Sequence, residues 1–179
     1  MGIQIIPSIR KLSYLDEALN SSGEYILLSQ SHIGNLKYLT NQCHAAGKKV
    51  MVNAELVGGL GNDKVAYQML EKMYQVDAVI ESSIAKVNMM KNMKLETVWR
   101  VTLMDSLSVE TALKYLESVR CDMIELRSGI YALKHMELFE EKFEGKMIIG
   151  GFMEERELVE RAERQGGYAV TTSTRALWK

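Results

Sequence analysis

Lys146-Met-Ile-Ile-Gly-Gly-Phe152 and Gly167-Tyr-Ala-Val-Thr-Thr-Ser173 are the two stretches whose reading decides the fold. Met147 to Ile149 is a short apolar run that stops at Gly150-Gly151, where a backbone without Cβ atoms can come close to a ligand. Tyr168 to Val170 is a second run, and it stops at Thr171-Thr172-Ser173. Between them lies a charged helical stretch, Glu154 to Gln165, with Glu157–Arg161 and Glu160–Arg164 four residues apart, the mark of a solvated helix face. Two consecutive strand–loop–helix junctions rich in Gly, Thr and Ser place backbone N–H groups and hydroxyls where an anion can be held. In a (β/α)8 barrel, the loops after strands 7 and 8 are the usual place for a phosphate group.

Working outward, six more apolar runs precede these two: Ile3 to Ile6, Tyr25 to Leu28, Val50 to Val52, Asp77 to Ile80, Thr97 to Leu103 and Cys121 to Leu126. They recur roughly every 20 to 25 residues, and each is followed by a stretch of helical period. Asp63 to Tyr74 is the clearest, with Val65, Ala66, Met69, Leu70 and Met73 on one side. Short, nearly continuous apolar strands with a crossover helix after each are the pattern of a parallel sheet buried on both faces. Eight such units predict an α/β protein, a compact TIM-barrel-like (β/α)8 fold in a single domain over residues 1–179, with an open doubly wound sheet as the alternative. No Gly-x-Gly-x-x-Gly follows the first strand, and Gly58-Gly59-Leu60-Gly61 has no Lys-Ser/Thr behind it, so neither a dinucleotide site nor a P-loop is supported.

The chain has 179 residues, 47% of them hydrophobic, and a net charge of −1, which gives no global basic signal for nucleic acid. Cys43 and Cys121 sit in apolar segments and read as buried thiols of a reduced, cytoplasmic protein. No stretch approaches the roughly 18 uninterrupted apolar residues of a membrane span.

In a barrel the C-terminal ends of the strands form one rim. Its polar residues would be Ser8, Arg10, Ser29, His32, Asn53, Glu55, Glu81, Ser82, Arg100, Thr102, Glu125, Arg127, Gly150, Gly151, Thr171, Thr172 and Ser173. Arg100 interrupts a run that should be buried, so its guanidinium must be paired with Glu55, Glu81 or Glu125, aimed at an anion, or both. The three glutamates suit general bases, or acceptors for the hydroxyls of a polyol; without a His partner they do not make a metal site, and no cofactor is implied. No strand end carries a lysine placed for a Schiff base. Arg156, Arg161, Arg164, Arg175 and Lys179 beside Trp178, and Lys86, Lys91 and Lys94, read either as solubility charges or as basic patches. The Met-rich helix around Met89 is a candidate interface for a homo-oligomer.

Several motifs carry a family resemblance. These are Leu28-Ser29-Gln30-Ser31-His32-Ile33 with Gly47-Lys48-Lys49-Val50, Glu55-Leu56-Val57-Gly58-Gly59-Leu60 followed by Asp63, and Arg100 with Asp105-Ser106. They continue with Ile124-Glu125-Leu126 and Gly129, Gly150-Gly151-Phe152, and Ala169-Val170-Thr171-Thr172-Ser173 with Leu177-Trp178. On these the chain resembles, end to end, the bacterial glycerol uptake operon antiterminator regulatory proteins. The resemblance implies a TIM-barrel-like sensor of glycerol 3-phosphate that acts on the leader mRNA of glycerol-utilisation genes. It implies phosphate loops at Gly150-Gly151 and Thr171-Thr172-Ser173, with Arg100 and Glu125 on the rim. The chain departs from the family pattern at Asn53 and Glu55 (in place of His and Asp), at Arg127-Ser128 (in place of an apolar residue and Pro), and at Thr102 (in place of an aromatic). These changes open the way to a different ligand. The alternatives are a small barrel enzyme acting on a phosphorylated polyol or sugar, with Glu55, Glu81 or Glu125 as acid or base, and a barrel that only assembles with partners and takes no ligand.

Overall fold

The computed structural model describes residues 2–179. Eight parallel strands close into a barrel: β1 (Gln4–Ile9), β2 (Tyr25–Leu28), β3 (Lys49–Asn53), β4 (Ala78–Glu81), β5 (Glu96–Thr102), β6 (Met123–Arg127), β7 (Lys146–Gly150) and β8 (Ala169–Thr172). β1 pairs with β8 in register Gln4↔Ala169 to Pro7↔Thr172, which shuts the ring. All eight predicted strands are present, and the open sheet is ruled out by that closure. Pro7, which lacks an N–H, lies inside β1 at its last register position with β8, one residue before the register with β2 begins at Ser8.

Among the described residues seven α-helices accompany the strands: α1 (Leu15–Leu19), α2 (Leu36–Ala45), α3 (Lys64–Lys72), α4 (Ile84–Met90), α5 (Ser106–Tyr115), α6 (Gly129–Glu140) and α7 (Arg156–Arg164). The chain reaches its small size by shortening two units. After β1 the expected helix from Arg10 is only a 3₁₀ turn, Leu12–Tyr14, and the five-residue α1; after β8 there is a single 3₁₀ turn, Arg175–Leu177. Two helix starts are fixed by aspartates. Asp63 Oδ1 accepts the Ala66 N–H at 2.9 Å, and Asp105 and Ser108 form a reciprocal capping box at the head of α5.

Strand side chains alternate between two apolar layers. Ile6, Tyr25, Leu27, Met51, Ala78, Ile80, Val98, Met123, Ile148 and Ala169 fill the barrel interior. Their neighbours, such as Ile26, Val52, Val79, Trp99, Ile124, Ile149 and Val170, face the helices. This two-sided burial is why the strands read as unbroken apolar runs. Removing one fully buried aliphatic chain, Leu70→Ala for example, would cost about 2–5 kcal/mol.

The N-terminal mouth of the barrel is shut by polar groups. Tyr25 donates to Glu96 at 2.6 Å, and Lys49 sits 2.8 Å from Glu24 and 3.3 Å from Glu96. Burial and the neighbouring carboxylate push the Tyr25 phenol above its ordinary range, while the Lys49 hydrogen bond holds the Glu24 carboxyl below its own. With the bottom closed, any ligand must enter from the opposite rim.

Some side chains lie elsewhere than the sequence suggested. Cys43 is buried, but Cys121 is partly exposed. Met90 is fully buried, and Met89 and, beyond the end of α4, Met93 are partly buried against the core. Trp178 is buried and donates to the Thr172 carbonyl at 3.0 Å; it packs inside the fold instead of standing beside surface cations. Several of those cations are paired, Lys91 with Asp122, Lys86 with Glu81 and Arg175 with Glu17.

Candidate functional site

At the C-terminal rim the inward-facing positions turn from apolar to polar. One step beyond Met51, Val98, Met123 and Ala169 come Asn53, Arg100, Glu125 and Thr171. They form the floor of a cavity of about 570 Å³, a size within the ordinary range for small-molecule sites. Its walls include Ser8, Arg10, Ser29, Gln30, Arg127, Gly151, Phe152, Thr172 and Ser173, with Leu27, Leu56 and Met153 as apolar patches.

The strand order brings Arg100 and Glu125 side by side as register partners of β5 and β6. Arg100 Nε donates to Glu125 Oε2 at 2.5 Å, and both side chains are withdrawn from solvent, 12% and 1% exposed. Of the three glutamates open as partners for Arg100, Glu125 is the one used. Its other oxygen, Oε1, accepts the Thr171 hydroxyl at 2.8 Å. Arg10 and Arg127 also line the cavity, and neither has a carboxylate within 4 Å among the described residues. The Arg127 guanidinium lies over the β7 loop, its Nε 3.4 Å from where a Cβ on Gly151 would sit.

The loops after β7 and β8 are braced against each other. Gly151 (φ +78°) and Phe152 (φ +60°) both adopt left-handed backbone, which glycine takes freely and phenylalanine only at a cost. The Gly151 carbonyl accepts the Gly129 N–H at 2.8 Å, tying the β7 loop to the start of α6. Thr172 Oγ1 donates to the Met153 carbonyl at 2.7 Å and accepts the Thr174 N–H at 3.0 Å. The Thr172 hydroxyl is thus committed to loop geometry rather than offered to a ligand.

Of the expected rim residues, Ser8, Arg10, Ser29, Asn53, Arg100, Glu125, Arg127, Gly151, Thr171, Thr172 and Ser173 surround one cavity. Three do not. His32 is exposed on a two-residue strand, Ser31–His32, that pairs with Val57–Gly58 outside the barrel, and its Nδ1 accepts the Gly34 N–H. Glu55 lies in the 3₁₀ turn after β3 and accepts the Ser82 hydroxyl on the outer surface. Gly150 is the buried last residue of β7, below the cavity lining. Glu81, also expected on the rim, ends β4 on an outward-facing position. There it is fully buried and accepts hydrogen bonds from Tyr67 and from the Ser82 and Ser83 N–H groups. Thr102 lies in a separate groove beside α5. Leu27, Gln30, Leu56, Phe152, Met153 and Glu154 also line the cavity and are not among the expected rim residues, although Gln30, Leu56 and Phe152 belong to the motifs that carry the resemblance. Phe152, Met153 and Glu154 are the three residues after Gly150-Gly151, and that adjacency is the available signal. No group of three His, Cys, Asp or Glu side chains able to hold a metal occurs among the described residues.

Known proteins share both sequence and shape with this chain. The crystal structure of the glycerol uptake operon antiterminator regulatory protein from Listeria monocytogenes superposes with a TM-score of 0.89 at 30% identity, covering 98% of this chain and 94% of that one. A glycerol uptake operon antiterminator-related protein from Thermotoga maritima gives 0.87 at 25%, covering 99% of both chains. A protein of Escherichia coli K12 called YgcP, itself uncharacterized, is 24% identical over 177 residues, 97% of this chain and 91% of its own length. Orotidine 5′-phosphate decarboxylase from Pyrococcus horikoshii, at 11% identity and a TM-score of 0.71, shares the barrel fold alone. The profile of the glycerol-3-phosphate responsive antiterminators matches residues 5–178, and the chain belongs to that family of transcriptional regulators.

Proposed function

We propose that the chain binds glycerol 3-phosphate in the rim cavity and that the liganded protein acts on leader mRNA to prevent early termination of transcription. The observation that carries the ligand half is the pair Arg10 and Arg127, two guanidiniums lining one cavity with no carboxylate to neutralise them among the described residues. With Arg100 they put three cations against Glu125 and Glu154, an excess suited to an anionic ligand. The phosphate would lie against the Gly151 and Ser173 loops under Arg127. Ser8, Ser29 and Asn53, at or just past the C-terminal ends of β1, β2 and β3, would supply hydroxyl and amide groups for the glycerol part.

Enzyme chemistry is disfavoured by what the carboxylates are doing. Both Glu125 oxygens are hydrogen-bonded, Glu81 faces the helices, and Glu55 is outside the cavity. Among the described residues only Glu154 remains as a cavity carboxylate without those ties. Such a regulator would act in the cytoplasm, where leader transcripts are made.

A thermal-shift titration with glycerol 3-phosphate, using glycerol and inorganic phosphate as controls, tests the ligand. At about 100 times the dissociation constant the ligand stabilises the fold by roughly 2.7 kcal/mol, a shift of several degrees. No shift with any of the three discards it. RNA binding is tested by filter binding to the cognate leader over a range of salt concentrations. Affinity that rises with glycerol 3-phosphate and falls steeply with salt supports the regulator; affinity indifferent to both overturns it.

A further inference from the structure

Glu125 spans three strands at the cavity floor. From β6 it reaches Arg100 on β5 through Oε2 and Thr171 on β8 through Oε1. β5 and β6 are neighbours, but β6 and β8 are not, because β7 lies between them. The β7 residue at this level is Gly150, the register partner of both Arg127 and Thr171. A Cβ built on Gly150 would lie 2.7 Å from Glu125 Oε1 and closer still to the Thr171 hydroxyl. The bond between β6 and β8 therefore passes over β7 at the one inward position where β7 has no side chain.

We propose that Glu125 is a positioning residue of the ligand site, that Gly150 exists to let it reach Thr171, and that its task is to aim Arg100 into the cavity. The proposal rests on the cavity being the ligand site and refines how that site is built. A carboxylate with both oxygens occupied and 1% of its side chain exposed has little left to offer a ligand. Its bond to Arg100 occupies Nε and leaves the two terminal NH₂ groups, four N–H donors, free to face the cavity. Its bond to Thr171 anchors the carboxylate to the strand that leads into the Ser173 loop, so the carboxylate has no freedom to swing and take Arg100 with it. The Arg100–Glu125 charges cancel locally. Arg100 then contributes directed hydrogen bonds, while Arg10 and Arg127 carry the net positive charge. Gly150 and Gly151, adjacent in sequence, thereby have separate duties: Gly151 shapes the loop at the ligand, and Gly150 clears the bridge beneath it.

The test combines a ligand-independent readout with a mutant cycle. In wild-type protein the Arg100 Nε–H should give a solvent-protected NMR resonance, assigned by its loss in Arg100→Lys. It should disappear or move strongly in Glu125→Gln and in Gly150→Ala, with folding of each confirmed by circular dichroism. Retention of an unshifted signal in both variants overturns the proposal whether or not any ligand binds. In glycerol 3-phosphate titrations, Glu125→Gln should weaken binding roughly tenfold or more in the wild-type background. It should add nothing in an Arg100→Ala background, because a residue acting through Arg100 has no effect once Arg100 is gone. Equal losses in the two backgrounds would mean that Glu125 touches the ligand itself. If wild-type protein binds no glycerol 3-phosphate while the NMR result holds, the ligand assignment fails and the positioning role stands.

Discussion

The Tyr67 hydroxyl on α3 donates its hydrogen bond to the buried Glu81 carboxylate at the end of β4, on the face of the barrel turned away from the cavity. The same carboxylate accepts two backbone N–H groups, from Ser82 at 3.0 Å and Ser83 at 3.1 Å, and Lys86 lies 3.8 Å away. Burial, and then the Glu81 bond, push the Tyr67 phenol above its ordinary range. This is a structural cluster that pins α3 and the β4 loop. Tyr67→Phe takes one donor from a buried carboxylate and should cost about 1–3 kcal/mol, read as a drop in Tm of several degrees for a chain of this size. Affinity for glycerol 3-phosphate should stay unchanged. A loss of affinity without a loss of Tm would place Glu81 in the site after all.

Phe152, 68% exposed at the cavity mouth, holds left-handed backbone (φ +60°). An aromatic residue gains nothing in stability from such a conformation, and asparagine tolerates it better. Phe152→Asn should therefore leave Tm equal or raise it by up to about 1 kcal/mol equivalent, while weakening ligand binding if the ring covers the bound molecule. Strain kept at a ligand loop is a common cost of function. A clear fall in Tm in the unliganded variant would show that the ring packs for stability instead.

Asp122 precedes β6 and accepts both the N–H and the hydroxyl of Thr97 at 2.8 Å, with Lys91 at 3.1 Å. Burial alone would raise its pKa, but the Thr97 bonds and Lys91 together outweigh it and hold the carboxyl below its ordinary value. A carboxyl that titrates lower when folded stabilises the fold fully above its unfolded pKa, about 4, and loses that stabilisation as pH falls through the folded value. The Asp122 side chain is 41% exposed, so solvent screens these interactions, and Asp122→Asn should lower Tm at pH 7 by at most about 1 kcal/mol equivalent. The gap to wild type should close as pH is taken below about 4. A gap that is the same at pH 7 and pH 3 would show that the charge has no part in it.

Strand count and rim composition were legible in the sequence because a parallel barrel buries both faces of every strand, and apolar runs then end abruptly where the rim begins. Arg100 was conspicuous for the same reason, as a cation inside such a run. The outward turn of Glu81 was less accessible: β4 is so short that its last residue falls on either face with a one-residue change of register. His32 and Glu55 misled because both follow strand ends directly, yet the chain there builds extra elements, the Ser31–His32/Val57–Gly58 pair and the Ala54–Leu56 turn, that carry them off the rim. Gly150 was read as a place for ligand approach. Its clearance for a hydrogen bond between β6 and β8 depends on which side chains meet across the barrel, and no single strand records that.

Arg127 ends β6 and leans over the Gly151 loop without a carboxylate partner among the described residues. If it holds the ligand phosphate, Arg127→Leu should remove a charge-assisted contact and weaken glycerol 3-phosphate binding by about 10- to 100-fold. Glycerol itself, which has no phosphate, should bind no worse. Arg127 is partly exposed, and its removal relieves an uncompensated positive charge close to Arg100 and Arg10, so Tm in the absence of ligand should hold or rise slightly. Arg127→Lys separates two ways of holding the phosphate. A lysine keeps the charge but not the planar fork, so recovery of most of the affinity would mean that charge alone matters, and little recovery would mean bidentate recognition. Calorimetric titration of the three proteins with glycerol 3-phosphate and with inorganic phosphate decides it. Unchanged affinity in Arg127→Leu would move the phosphate subsite to Arg10 and the Ser173 side of the cavity.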